Sequence, residues 1–206
     1  MTQSKSTFST LRGILLIVGF FCVLLLVPVI SQYPKAKFDS EKTDSGSPSS
    51  FPMSSKVGVF RSSSSPNTKA KNKLSLEELI QEDSSPILIN FWATWCPPCL
   101  EELPSLESLH RQLSSNGNGK NRLARLITIS VDDRVEDIRK LESTLDFKPS
   151  YPVFHDKEGE LARTMGTTKF PETYLVNREG KILYKWLGPQ DWLSKDVLHQ
   201  LKLHSK

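Results

Sequence analysis

The chain has 206 residues, 37% of them hydrophobic and 24% charged, with a formal net charge of +4. The charge is uneven: residues 1–73 hold 10 Lys/Arg against 3 Asp/Glu, and residues 74–206 hold 17 against 20. The part able to fold is therefore mildly acidic, which excludes a nucleic-acid-binding domain, because such a domain gathers basic residues on its folded face. Three cysteines are too few for a disulfide scaffold, so a close pair among them points to redox or metal chemistry.

Residues 1–30 read as an N-terminal anchor. Gly13 to Ile30 is an apolar run of 18 residues broken only by Pro28, with Lys5 and Arg12 before it. That is just long enough to span a bilayer. The rival is a cleaved signal peptide and a secreted product, but Val29-Ile30-Ser31 makes a poor cleavage site. Lys35 and Lys37 beyond the run blur the orientation signal. Cys22, inside the run, reads as a small lipid-facing hydrophobe. Residues 31–73 are rich in Ser, Pro and Lys and lack apolar periodicity. Such a stretch buries too little surface to offset its ordering entropy, so it reads as a flexible tether reaching about 30–40 Å as a coil.

Residues 74–206 read as one folded domain. Ser75-Leu76-Glu77-Glu78 matches a capping box at a short helix. Pro86 to Phe91 is a continuous apolar strand, as at the centre of a sheet. From Pro97 to about Ser114 the leucines at 100, 103, 106, 109 and 113 line one helical face, with Pro104 expected to kink it. Asn116-Gly117-Asn118-Gly119 breaks the chain. A strand over 123–131, a helix over 135–145, a short strand over 151–154 and a short helix over 161–165 follow. Thr173–Val176 and Ile182–Trp186 form a hairpin closed by Asn177-Arg178-Glu179-Gly180. A last helix covers roughly 191–203. Strands alternating with helices, then a hairpin and a helix, predict an α/β domain with a mixed central sheet flanked by helices.

The chemistry concentrates in Phe91 to Cys99, FWATWCPPC. Pro97 suits the first helical position, where its missing N–H costs nothing. Cys96 then sits at a helix N-terminus, where unpaired N–H groups and the dipole favour a thiolate. Cys99, one turn on, is near enough to close a small disulfide ring. Cys96 is expected to be the exposed, attacking thiol and Cys99 the buried, resolving one. The competing reading is half a zinc site, but that needs four ligands; there is no second CxxC, and the four histidines lack zinc-finger spacing.

This stretch, followed by LEELP, resembles the thioredoxin superfamily and, within it, the TlpA-like membrane-anchored group, which includes the extracytoplasmic reductases of cytochrome c maturation. Asn90 before the FW pair, Glu102 and Pro104 after Cys99, and FPETYLVNREGKI from Phe170 to Ile182 carry the likeness. It covers roughly residues 74–206 and implies a thioredoxin fold and no cofactor or metal. It also implies reduction of a disulfide-bearing protein substrate such as apocytochrome c, and recharging by a membrane electron donor of the thiol-transfer type. The domain would face the periplasm or cell exterior. The resemblance favours a cis Phe170–Pro171 bond, with Trp95, Phe170 and Pro171 contacting substrate, Trp95 shielding the site and Trp92 in the core. It also favours Glu102 as the proton acceptor for Cys99, since Asn90 cannot act as a base; spacing alone leaves Glu102 an exposed, dipole-favoured residue of a first turn. Glu101 reads as solvent-facing. One feature departs from the group: its usual N-terminal hairpin has no clear counterpart in residues 57–73.

Four other functions compete with a reductase. These are a disulfide-forming oxidase, a redox-inert binding module, a metallochaperone and a peroxiredoxin. Copper-chaperone relatives carry three residues between the cysteines, against two here. Peroxiredoxins place threonine three before the reactive cysteine, where this chain has Ala93.

Overall fold

The computed structural model describes residues 49–61, 73–82, 84–115, 122–146 and 148–205. The apolar run 13–30, and with it the expected anchor, lies outside them. Among the described residues no helix is long and apolar enough to cross a membrane.

Seven strands form one mixed sheet. They are β1 (Lys56–Arg61), β2 (Lys73–Ser75), β3 (Ile87–Trp92), β4 (Arg125–Ser130), β5 (Val153–His155), β6 (Glu172–Val176) and β7 (Ile182–Leu187), in the spatial order β2-β1-β5-β4-β3-β6-β7. Strand β3 runs parallel to β4 and antiparallel to β6, with Asn90 opposite both Thr128 and Thr173. All six residues of β3 are buried, as its apolar sequence, interrupted only by Asn90, suits a central strand. The helices are α1 (Leu76–Ile80), α2 (Pro97–Ser115), α3 (Val135–Leu145), α4 (Glu160–Thr164) and α5 (Lys195–His204).

Alternation along the strands sends side chains to two cores. Leu88, Leu175 and Trp186 join Leu103, Leu106 and Leu109 of α2 and Trp192, Val197 and Leu201 near the C-terminus. Ile87, Ile89, Phe91, Tyr174 and Val176 join Leu76, Leu79 and Ile80 of α1 and Leu161 of α4 on the other face. The predicted capping box is present: the Glu78 N–H donates to Ser75 Oγ, and the Ser75 N–H donates to Glu78.

Two expectations are corrected at the N-terminal side. The missing hairpin exists: β1 pairs antiparallel with β2, and on its other edge with β5. Gly58 weakens the strand signal in KVGVFR, yet the spot suits glycine because a Cβ there would stand 3.3 Å from the His155 carbonyl. The stretch assigned to the tether is also partly folded. Phe51 is buried and meets Phe91 and Tyr174 at ring-centroid distances of 6.4 and 5.5 Å. Its N–H donates to the Gly180 carbonyl at 2.7 Å. Gly180, at φ 80°, leaves room for Met53, whose Sδ a Cβ would approach to 2.7 Å. A lone phenylalanine among serines and prolines carries no periodicity, so sequence reading passed over it.

Candidate redox site

The site assembles where β3 ends and α2 begins. Thr94, in the connecting turn, is fixed by buried Asp132: its N–H donates to the carboxylate at 3.1 Å and its hydroxyl at 2.6 Å. Ser130 donates to the same carboxylate at 2.7 Å, which ties the turn to the end of β4. The chain then enters α2 at Pro97, as predicted.

Cys96 and Cys99 form a disulfide with their Cα atoms 5.3 Å apart. The Cys99 N–H points at Cys96 Sγ, 3.3 Å away. Of the two N–H groups that Pro97 and Pro98 lack, neither is this one, so a donor remains for charge on the Cys96 sulfur. Cys99 is fully buried, as expected. Cys96 is not the exposed residue expected: in the disulfide it keeps only 5% of its surface, against none for Cys99. Trp95 is 63% exposed and meets Phe170 edge-on at 5.9 Å. Trp92 is core, Glu101 faces solvent and Phe170–Pro171 is cis.

Glu102 differs most from expectation. It is not an exposed first-turn carboxylate but is 3% exposed. Three donors converge on it: Asn90 Nδ2 on Oε1 at 2.8 Å, and the Gln190 N–H and Trp192 Nε1 on Oε2 at 3.1 and 3.0 Å. Burial outweighs these bonds and pushes its pKa from 4.5 to about 7. Asn90 Nδ2 also donates to Thr173 Oγ1 at 2.9 Å, while its Oδ1 finds no partner among the described residues. Asn90, read from sequence only as unable to act as a base, is thus the residue that holds the candidate base. Gln190, Trp192 and Thr173 escaped sequence reasoning because their part depends on contacts spanning 83–90 positions. Glu102 follows Cys99 by three positions, on the same face of α2. The structure thus brings Cys96, Cys99, Trp95, Phe170 and Glu102 to one end of the sheet. Among the described residues no group of three His, Cys, Asp or Glu side chains is placed to hold a metal ion.

Known proteins are similar to this chain in sequence and in fold. The chain is 29% identical over 104 residues to the thiol-disulfide oxidoreductase ResA of Bacillus thuringiensis subsp. konkukian, covering 50% of this chain and 56% of that protein. It is 28% identical over 128 residues to the thioredoxin-like protein YneN of Bacillus subtilis, covering 61% and 71%. The chain spans just over half the length of the first of these relatives. The thioredoxin domain of a thiol-disulfide oxidoreductase from Bacteroides vulgatus superposes with a TM-score of 0.54 at 21% identity, covering 78% of this chain and all of that one, and so shares the fold. The fold is thioredoxin-like, as the resemblance implied. A family model matches residues 60–185, more than half the sequence, with Cys96, Cys99 and Glu102 inside the match, and by that match the chain belongs to the AhpC/TSA family.

Proposed function

We propose that this chain is a thiol–disulfide oxidoreductase that reduces disulfides in extracytoplasmic proteins. Apocytochrome c is the substrate type the resemblance suggests, and a membrane thiol-transfer donor would recharge the dithiol. The apolar run 13–30 would hold the domain at the cytoplasmic membrane. The observation that carries the reading is a CxxC disulfide at a helix N-terminus with a buried carboxyl, titrating near neutrality, one turn behind it.

In the reaction, the Cys96 thiolate attacks one sulfur of the substrate disulfide. The substrate S–S bond breaks, one substrate thiolate leaves, and a mixed disulfide forms on Cys96. Glu102 takes the proton from Cys99, and the Cys99 thiolate attacks Cys96 Sγ. The second substrate thiolate departs and the Cys96–Cys99 bond closes, so two electrons pass from the dithiol to the substrate. A thiol in an apolar setting resists ionisation, and a base with a pKa near 7 suits proton transfer at neutral pH.

The test is insulin-disulfide reduction by the dithiothreitol-reduced chain, beside consumption of hydrogen peroxide. Reduction without peroxide consumption is the expected result, since Ala93 offers no hydroxyl beside the thiol. Peroxide consumption with no insulin reduction would replace this reading with a peroxidase.

A further inference from the structure

Two charged side chains that the exchange chemistry does not use lie buried just behind the substrate-facing loop. Glu172 opens β6 directly after Pro171 and is 2% exposed; Lys185 on β7 is 9% exposed. They form an ion pair. Tyr174, opposite Lys185 in the β6–β7 register, donates its hydroxyl to Glu172 Oε1 at 2.8 Å. The Lys185 ammonium lies 5.2 Å from the centre of the Tyr174 ring. Thr167 Oγ1 stands 2.9 Å from the same phenol oxygen. Alternation along β6 sends Glu172 and Tyr174 to the face away from Cys99, while Thr173 faces Asn90.

Stability does not call for this cluster. Desolvating two charges costs about what their attraction returns, and apolar residues of the same volume often do as well. What charged and hydroxyl groups add is directional geometry. The phenol of Tyr174 is bonded to Thr167 at one end of the loop and to Glu172 at the other. Between them lies Phe170, whose ring touches Trp95 beside the disulfide. The Pro171 carbonyl is already taken by the Gly188 N–H at 2.9 Å, which leaves pairing with a substrate chain to the residues before it. A substrate strand added there needs the loop held to a fraction of an ångström.

We propose that Glu172, Lys185, Tyr174 and Thr167 are positioning residues that clamp both ends of the 167–171 loop for an extended peptide. They govern recognition of polypeptide disulfides and leave the dithiol itself unaltered. The proposal rests on the exchange function given above. Small disulfides do not pair with the backbone and are indifferent to the clamp.

The experiment compares the full chain with Tyr174→Phe, which removes one oxygen, and with the double variant Glu172→Gln/Lys185→Met, which neutralises the pair without leaving a buried charge alone. Initial rates are measured with insulin and with bis(2-hydroxyethyl) disulfide, and the reduction potential of the Cys96–Cys99 couple is taken for each. The expected result in both variants is a KM for insulin raised about fivefold or more with kcat within twofold. The small-disulfide rate and the potential should be unchanged. An equal loss on both substrates, a shifted potential, or unchanged insulin kinetics would overturn the clamp while the wild type remains active. A wild type inert toward both disulfides would instead overturn the exchange reading and the clamp with it.

Discussion

Glu102→Gln makes the sharpest test of the buried carboxyl, because its effect on stability should change sign with pH. In the oxidised protein the cysteines do not titrate, so Glu102 is the titrating group the substitution removes from the site. Its carboxyl has a pKa of about 7 in the fold against 4.5 when exposed. Between those values the unfolded chain has released its proton and the native chain has not. Stability is therefore fully present below pH 4.5 and is lost as pH rises through 7. At 1.36 kcal/mol per pH unit the loss is about 3 kcal/mol. The amide imitates the protonated acid. Its oxygen accepts from the Gln190 N–H and Trp192 Nε1, and its NH2 meets Asn90. If the Asn90 amide turns over, its unpartnered Oδ1 receives that NH2 and the Thr173 hydroxyl together, at the cost of leaving an NH2 buried in place of an oxygen, about 1 kcal/mol. Glu102→Gln should thus be about 1 kcal/mol less stable than wild type at pH 4.5 and about 2 kcal/mol more stable at pH 8. Urea denaturation of both oxidised proteins across that range measures the difference. Parallel stability curves, with no crossing, would refute the burial argument.

Cys96→Ser should abolish insulin-disulfide reduction, and Cys99→Ser should accumulate mixed disulfides visible on non-reducing gels; adducts trapped by Cys96→Ser instead would reverse the two roles. Trp192→Phe removes one donor from the Glu102 carboxylate, so it should cost about 2 kcal/mol more at pH 8 than at pH 4.5; a pH-independent cost in urea titrations would show that only packing was lost. Phe51→Ala empties a site against Phe91 and Tyr174 and should cost about 3–5 kcal/mol, checked by urea denaturation; a cost under 1 kcal/mol would return residues 49–55 to the tether. For the anchor, the full-length protein should fractionate with membranes, and a soluble product beginning after Ser31 would mean a cleaved signal.

The elements that sequence foretold best are those whose pattern is local. The continuous apolar run of β3, the leucine stripe of α2 and the Ser75–Glu78 capping box each lie within one short window, and each appears within a residue or two of its predicted bounds. The features that escaped depend on distant partners. Glu102 looks like any acid near a helix start until Trp192 closes over it, 90 positions away. Glu172 and Lys185 carry no local sign of burial, yet both are buried and form an ion pair. Leu100, counted with the buried stripe, is only half-buried, while Glu102 and Glu107 share the inner face of α2. Glu107 is there because it caps the 150 loop, accepting from the Ser150 N–H and hydroxyl at 2.8 and 2.7 Å. In each case a polar residue sits where periodicity assigns a hydrophobe or solvent, and only the folded chain supplies the donors that make the position tolerable.

The reduction potential of the Cys96–Cys99 couple tests the central claim most directly. It can be measured by equilibrating the full chain with glutathione or dithiothreitol redox buffers and trapping the thiols with an alkylating reagent. A protein reductase should give a reversible two-electron couple more negative than about −200 mV, toward the thioredoxin value of about −270 mV. A couple near −120 mV, where the strong oxidant DsbA lies, would contradict the reductase and assign the chain to disulfide formation, and a pair that never equilibrates with the buffer would contradict thiol–disulfide exchange altogether.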